Sequence, residues 1–345
     1  MKHIIIGGDG FVGQKLAADL LAENQDVVVA DIVKSDHPHY AKVPFVHVDV
    51  TRPTSLAKLE MGPDDVVYNL SAKMLSPIMP RAKRREFFWP VNYQGVKFIL
   101  QRMEAAGAHR LVHFSTDMVY GHTHSVPTGE NELVEPLGEY GHSKLGSERL
   151  CAKWREKGFS ISIFRPRLII GPGRLGILSK LFRLIDLNLP VPMIGSGRNP
   201  YQFISVYDCA SAAAAAWRAG FPNSAYNLGS DDPPPVRKLL GDLIREAGSY
   251  SILLPTPAPL VKATLNALDY INLPLMDPEQ YLIADEICIL DTSAAKKDLG
   301  WTPRYRDDDM LKAAYREYRA GRKGAPAPTD PRRGNVRTVS VMEKQ

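Results

Sequence analysis

Residues 3–13 read HIIIGGDGFVG, and GQKLAADLLAEN runs on from Gly13. Residues suited to a buried strand are followed at once by a glycine-rich turn and then by apolar residues at helical spacing, the pattern of a strand, a tight turn and a helix. Gly8, Gly10 and Gly13 make a literal GxGxxG, while Gly7, Gly10 and Gly13 also give a GxxGxxG spacing. Glycines at such a turn let the backbone bend sharply and approach a pyrophosphate, and they let the helix pack closely on the strand. The first amides of the helix then face the phosphates. A glycine turn without a ligand is the plain alternative, and the strand–turn–helix context argues against it.

Beyond this unit, short apolar runs alternate with longer amphipathic segments: VVVAD (27–31), FVHVDV (45–50), VVYNLSA (66–72), RLVHFST (110–116) and ISIFRP (161–166). The alternation predicts βαβ units and an α/β fold, a doubly wound parallel sheet of Rossmann type with a smaller C-terminal substrate-binding lobe. Residues 1–172 plus 201–230 are expected to form the dinucleotide domain, and 173–200 plus 231–318 the lobe, with helices over 236–248 and 258–271. Asp31 closes the second strand 18 residues after Gly13. A carboxylate there accepts hydrogen bonds from the adenosine ribose hydroxyls and repels a 2′-phosphate, which favours NAD over NADP, with Lys34 nearby softening the discrimination. Asp49 is placed either for the adenine amino group or as a helix N-cap.

EYGHSK puts Tyr140 and Lys144 four residues apart, on one face of a predicted helix. An ammonium beside a phenol lowers the phenol's pKa, so that Tyr can exchange a proton with a substrate alcohol or ketone. Surface residues often show this spacing by chance. Here it falls 24 residues beyond Thr116, where a strand is expected to end at Ser115 and Thr116. Strand C-termini are where open α/β sheets bind ligands, so the Thr116 hydroxyl is within reach of the same substrate oxygen.

With these motifs the chain resembles an extended short-chain dehydrogenase/reductase of the NAD-dependent epimerase/dehydratase superfamily. The likeness runs to about Tyr305, through GGDGFVG, NLSA (69–72), VNYQGVKFIL (91–100), FSTDMVYG (114–121), YGHSK, FRPRLIIGPG (164–173), VYDCASA (206–212), YNLGS (226–230) and DTSAAKKDLGWTP (291–303). The resemblance implies that Thr116, Tyr140 and Lys144 are catalytic, with Lys144 also binding the nicotinamide ribose. It implies an NAD site made of Gly7, Gly10, Phe11, Val12, Gly13, Asp31, Asp49, Val50, Leu70, Ala72, Asn92, Ser115, Tyr140, Lys144 and Pro166. Asn92 would organise the helix behind the site, while Ala72 and Pro166 bring backbone close to the nicotinamide. Lys73, Thr116, Asp117, Arg167, Leu168, Arg198 and Tyr201 are the expected substrate contacts. The implied reaction is hydride transfer at a secondary carbinol carbon, in an epimerase or a dehydrogenase, by a homodimer formed through two helices per subunit.

Departures from the family pattern bear on the substrate. Leu168 stands where nucleotide-sugar enzymes commonly carry Asn, and GSGRNPYQF (195–203) puts Tyr201 and Gln202 where an Arg and an Asp would fall, leaving Arg198 as a substitute for the diphosphate clamp. Met118 follows Asp117 where dehydratases carry a Glu, so dehydration is not expected. A sugar, nucleotide-linked, is the first expectation. A lipid, terpenoid or sterol-like alcohol is the second, since residues 255–280 are apolar and resemble the lobe of 3β-hydroxysteroid dehydrogenases. A non-catalytic dinucleotide-binding regulator is the third. The stretch KMLSPIMPRAKRREFFWP (73–90) should overhang the site, and its mixture of apolar and basic residues suits a solvated helix start, contact with an anionic membrane or contact with a phosphorylated substrate.

Composition narrows the classes further. With 345 residues and 44% hydrophobic content, the chain has no run near the ~20 apolar residues of a spanning helix. The N-terminus lacks the apolar region of a signal peptide, so a cytoplasmic location is expected. Cys151, Cys209 and Cys288 are too dispersed for a disulfide framework or a CxxC metal site, and no metal is expected. Seven Lys/Arg against two acids in 319–345 account for the net charge of +5, so the basic pI reports a mobile tail and not a nucleic-acid-binding face.

Overall fold

The computed structural model describes residues 1–35, 43–173, 176 and 178–322. Its strands are β1 (Lys2–Ile6), β2 (Asp26–Asp31), β3 (Phe45–His47), β4 (Val66–Asn69), β5 (Arg110–Phe114), β6 (Ser160–Pro166), β7 (Leu168–Ile170), β8 (Val191–Ile194), β9 (Phe203–Ser205), β10 (Ala225–Leu228) and β11 (Leu253–Thr256). Seven of them form one parallel sheet in the order β10-β6-β5-β4-β1-β2-β3. Ile4 pairs with Val28 on one side and Val67 on the other. Such a strand is covered on both faces, and Ile4, Ile5 and Ile6 are accordingly buried. The order reverses at β1 and β4, which run outward from the middle in opposite directions and leave a crevice at their C-terminal ends.

The helices are α1 (Phe11–Ala22), α2 (Pro53–Leu56), α3 (Arg84–Trp89), α4 (Val96–Ala106), α5 (Glu139–Arg155), α6 (Leu178–Asp186), α7 (Val206–Arg218), α8 (Val236–Ala247), α9 (Ala258–Tyr270), α10 (Pro278–Tyr281), α11 (Ser293–Leu299) and α12 (Asp307–Arg322). One core cluster joins Leu16, Ala17 and Leu20 of α1 to the alanine run of α7, whose small side chains let the two helices approach closely. Another packs Ile99, Leu100 and Met103 of α4 with Leu150, Cys151 and Trp154 of α5. Pro90 follows α3 directly, and the chain passes through a wider, π-type turn over Pro90–Gly95 before α4 begins. Proline removes a helical donor, and such bulges re-aim side chains; Asn92 is turned into the interior here.

Two short parallel pairs, β7 with β9 and β8 with β11, lie outside the large sheet, while β10 joins its edge. All three cysteines are buried and free. Residues 319–322, expected to belong to a tail, complete α12; the rest of that expected tail, 323–345, lies outside the described residues.

Candidate active site

A cavity of about 390 Å³ opens at the C-terminal ends of β1, β4, β5 and β6. The glycine turn forms one part of its wall, through Gly7, Gly10, Phe11, Val12 and Gly13. At Gly13 a Cβ would press on the Gly7 carbonyl and lie 2.6 Å from the Gly8 Cα, so only glycine fits beneath this turn. Gly10 is the N-cap of α1 and no side chain caps that end, which leaves the first amides available to an anion. Asp31 lines the same wall and accepts hydrogen bonds from the Asp9 amide (2.9 Å) and the Ile32 amide (2.7 Å). Burial raises its pKa against those donors. Asp49, Val50, Leu70, Ala72, Ser115 and Pro166 also line this wall. Asp49 also accepts from the amide and the hydroxyl of Thr51 (2.9 and 2.7 Å), and the hydroxyl contact holds its carboxyl below the usual range. The residues present fit a dinucleotide, with an open helix N-terminus, a turn that tolerates no side chain, and a strand-end acid.

Thr116, Tyr140 and Lys144 line the cavity together. The Lys144 ammonium is 2% exposed and donates to the Phe114 carbonyl at 2.7 Å. Burial pushes it down to about 8, and Glu148 partly opposes that. The Tyr140 hydroxyl donates to the Met74 sulfur at 3.6 Å, and its ring meets Phe88 edge-on at 5.5 Å. Thr116 Oγ1 accepts from the Met118 amide and donates to Asp117 Oδ1, both at 3.3 Å. Asp117 forms a buried ion pair with Arg167, whose guanidinium also donates to the Gln202 carbonyl (3.3 Å) and lies over the Tyr201 ring. Burial works against the Arg167 charge, yet the adjoining Asp117 carboxylate holds the guanidinium above its ordinary value. Lys73 and Leu168 also line the cavity.

Three expected residues do not line it. Arg198 is exposed on its loop, with its amide donating to Ser196 Oγ at 3.3 Å. Tyr201 stands behind Arg167, and burial raises its phenol. Asn92 acts from behind: it accepts from the Lys73 amide (2.8 Å), and donates to the Lys73 carbonyl (3.0 Å) and to Ser143 Oγ (3.1 Å). It thereby ties the segment after β4 to α5.

Sequence reasoning missed the support beneath α5. No side chain of its own caps this helix, and Glu279 of α10 takes that place, accepting from the Tyr140 amide (3.0 Å) and the Gly141 amide (2.9 Å). A Cβ on Gly141 would lie 2.7 Å from the Met118 carbonyl oxygen and 2.8 Å from Glu279 Oε2, so the glycine of YGHSK makes room for the acid. Burial, reinforced by Asp277, pushes Glu279 up to about 8, while the two amide donors and Arg84 oppose it. Arg84 is buried between Asp269, with Nη1 to Oδ2 at 3.0 Å, and Asp277, with Nε to Oδ2 at 3.3 Å. A second polar chain runs from Asn69 through His113 to Ser147 of α5, at 3.2 and 2.9 Å. Among the described residues no group of three or more His, Cys, Asp or Glu is disposed to hold a metal ion, and no helix is long and apolar enough to cross a membrane.

Comparison with known proteins places this geometry. The family model described as "NAD dependent epimerase/dehydratase family" matches residues 3–229. The chain is 30% identical over 321 residues to an uncharacterised protein, y4nG, of Sinorhizobium fredii, covering 92% of this chain and 79% of that protein. It is 25% identical over 339 residues to the Homo sapiens sterol-4-alpha-carboxylate 3-dehydrogenase, decarboxylating, covering 91% of this chain and 87% of that protein. Among solved structures, the UDP-glucuronic acid 4-epimerase of Bacillus cereus in complex with NAD superposes with a TM-score of 0.74 at 22% identity, over 95% of this chain and 99% of that one.

Proposed function

Because the chain belongs to the NAD-dependent epimerase/dehydratase family, we propose that it carries out hydride transfer at a secondary alcohol or ketone carbon, with Tyr140 moving the hydroxyl proton. NAD, when bound, supplies the hydride acceptor and donor. The observation that carries the reading is that Thr116, Tyr140 and Lys144 line the same cavity as the glycine turn and Asp31. The turn over Gly7–Gly13 and the open end of α1 bind the pyrophosphate, and Asp31 holds the adenosine ribose. Lys144, anchored on the Phe114 carbonyl, places a positive charge on the face of α5 that carries Tyr140 and favours the phenolate. Thr116 donates to the substrate oxygen that Tyr140 protonates or deprotonates. Met118 offers no second base beside Asp117, so elimination is not part of the proposal.

For the substrate we favour a sugar, with a nucleotide-linked one first. Lys73, Thr116, Asp117 and Gln280 bring polar groups to the cavity wall and suit a polyhydroxylated ring. A second reading, a lipid or sterol-like alcohol, is supported by the rest of that wall: Met74, Leu75, Leu168, Ile169 and Leu178 are apolar, and Arg198 lies outside. With Arg167 held by Asp117 and Lys144 by a carbonyl, Lys73 is the lining cation without a carboxylate or carbonyl partner among the described residues.

The test is thermal stabilisation of the NAD-loaded protein by UDP, dTDP, GDP and CDP. A ligand at ~100 times its dissociation constant adds ~2.7 kcal/mol. One nucleotide raising the midpoint is the result expected for a nucleotide sugar. No shift with any of them, together with stabilisation by a hydroxysteroid, moves the assignment to the second reading.

A further inference from the structure

The outward face of α9 carries no charge. Its only two charged residues, Lys262 and Asp269, are turned to protein partners, Asp285 at 2.5 Å and the buried Arg84. Leu260 at 65% exposed and Tyr270 at 73% stand on that face, and Leu273 at 62% and Leu275 at 60% continue it beyond the helix. Ala263, Thr264, Asn266 and Ala267 are the exposed residues between Leu260 and Tyr270, so the large apolar side chains gather at the C-terminal end, where Tyr270, Ile271 (59% exposed), Leu273 and Leu275 form an apolar group of the kind that marks a surface something covers.

Cations border the strip. The Ala82 amide donates to Asn272 Oδ1 at 3.1 Å, which fixes the turn at 81–83 against the end of α9. Arg81 lies 5.7 Å from the Tyr270 ring centroid, Lys83 is exposed with no carboxylate partner among the described residues, and Lys180 reaches the Leu275 carbonyl at 3.5 Å. Glu86 is the exposed acid of the same segment. An aromatic and leucine strip between basic side chains matches the apolar boundary and anionic headgroups of a bilayer. A two-fold contact with a second copy would set this basic border close to its own equivalent, which like-charge repulsion disfavours. The chain runs from Ser76, which lines the cavity, to Arg81 in five residues, and from Leu275 to Gln280, which also lines it, in five more.

We propose that α9, the segment 271–275 and the basic turn at 81–83 dock this protein on an anionic membrane surface. The interaction is independent of which substrate the cavity takes.

The experiment is co-sedimentation of the full chain with phosphatidylcholine vesicles, with and without phosphatidylglycerol, for the wild type, Leu260→Asp/Leu273→Asp and Arg81→Glu/Lys83→Glu. The wild type should partition onto the anionic vesicles and be released by salt. Each double variant should lose about tenfold or more in partition coefficient, while stabilisation by NAD stays unchanged and shows that the fold is intact. Absence of wild-type partition overturns the proposal. So does partition equal in all three proteins, which would place the lipid contact elsewhere, as on the basic segment 319–345. A variant that changes oligomeric size by light scattering but leaves vesicle partition unaltered would assign the face to a second copy, and that too contradicts the proposal.

Discussion

Asp31 organises the backbone of the glycine turn, and the proposed cofactor preference rests on it. Its carboxylate binds the Asp9 amide in the glycine turn, and Asp9 in turn accepts from the Ser35 amide and hydroxyl at 2.5 and 2.6 Å. The acid therefore holds the turn in place, and in the proposed function it also accepts from the ribose hydroxyls. Asp31→Ala removes both the hydrogen-bond acceptor and the repulsion toward a 2′-phosphate, and NAD preference over NADP should fall by roughly tenfold or more, since hydrogen bonds to charged groups contribute about 1.5–3 kcal/mol. Comparative titration of the two cofactors measures it, and unchanged selectivity would place the discrimination on another residue. The place of Asp31 and the glycines on the cavity wall was legible in the sequence because they sit at fixed local spacing. Arg167 was foreseen as a substrate contact, but no local pattern revealed that Asp117 would claim its charge, because the two lie 50 residues apart.

At the scale of the element, α5 illustrates what local reading misses. Beside the apolar Leu150, Cys151 and Trp154 that pack on α4, it buries the polar Ser143, Lys144, Ser147 and Glu148, which blurs the apolar stripe that ordinarily identifies a packed helix. Each polar group there has a partner: Ser147 contacts His113, and Glu148 binds Arg165 bidentately at 3.0 and 2.6 Å. Glu279 was invisible because its contact with Tyr140 spans 139 residues. It has a consequence for stability. In the unfolded chain this carboxyl loses its proton near 4.5, whereas in the fold it keeps it up to about 8. Between those limits the folded state binds more protons than the unfolded, so stability falls as pH rises through the window, by up to about 1.4 kcal/mol per pH unit from this group. Glu279→Gln should remove that slope from a series of denaturant titrations over the window. A slope identical to wild type would show that Glu279 does not hold its proton in the folded state.

For the whole molecule, the parallel sheet brings residues from the first sixth of the chain and from the middle to one crevice. The βαβ rhythm announced this, since most strands of the sheet carry a short apolar run between helices. The lobe was less legible. β8 and β11 lie in proline-bearing segments, VPMI and LLPT, with no clear alternation, and each becomes a strand only by pairing with the other. The assembled crevice makes a claim about chemistry, that Tyr140 transfers the proton while the glycine turn binds the cofactor independently. The most direct measurement follows reduced-nicotinamide fluorescence when the NAD-loaded protein meets panels of nucleotide sugars and hydroxysteroids, for the wild type and Tyr140→Phe side by side. The wild type should reduce its cofactor with a member of one panel, as accumulating NADH in a dehydrogenase or as a transient accompanied by epimer formation in an epimerase, and Tyr140→Phe should be slower by about 10² to 10⁴ while binding NAD with nearly the same affinity. Turnover by Tyr140→Phe at the wild-type rate would contradict the account.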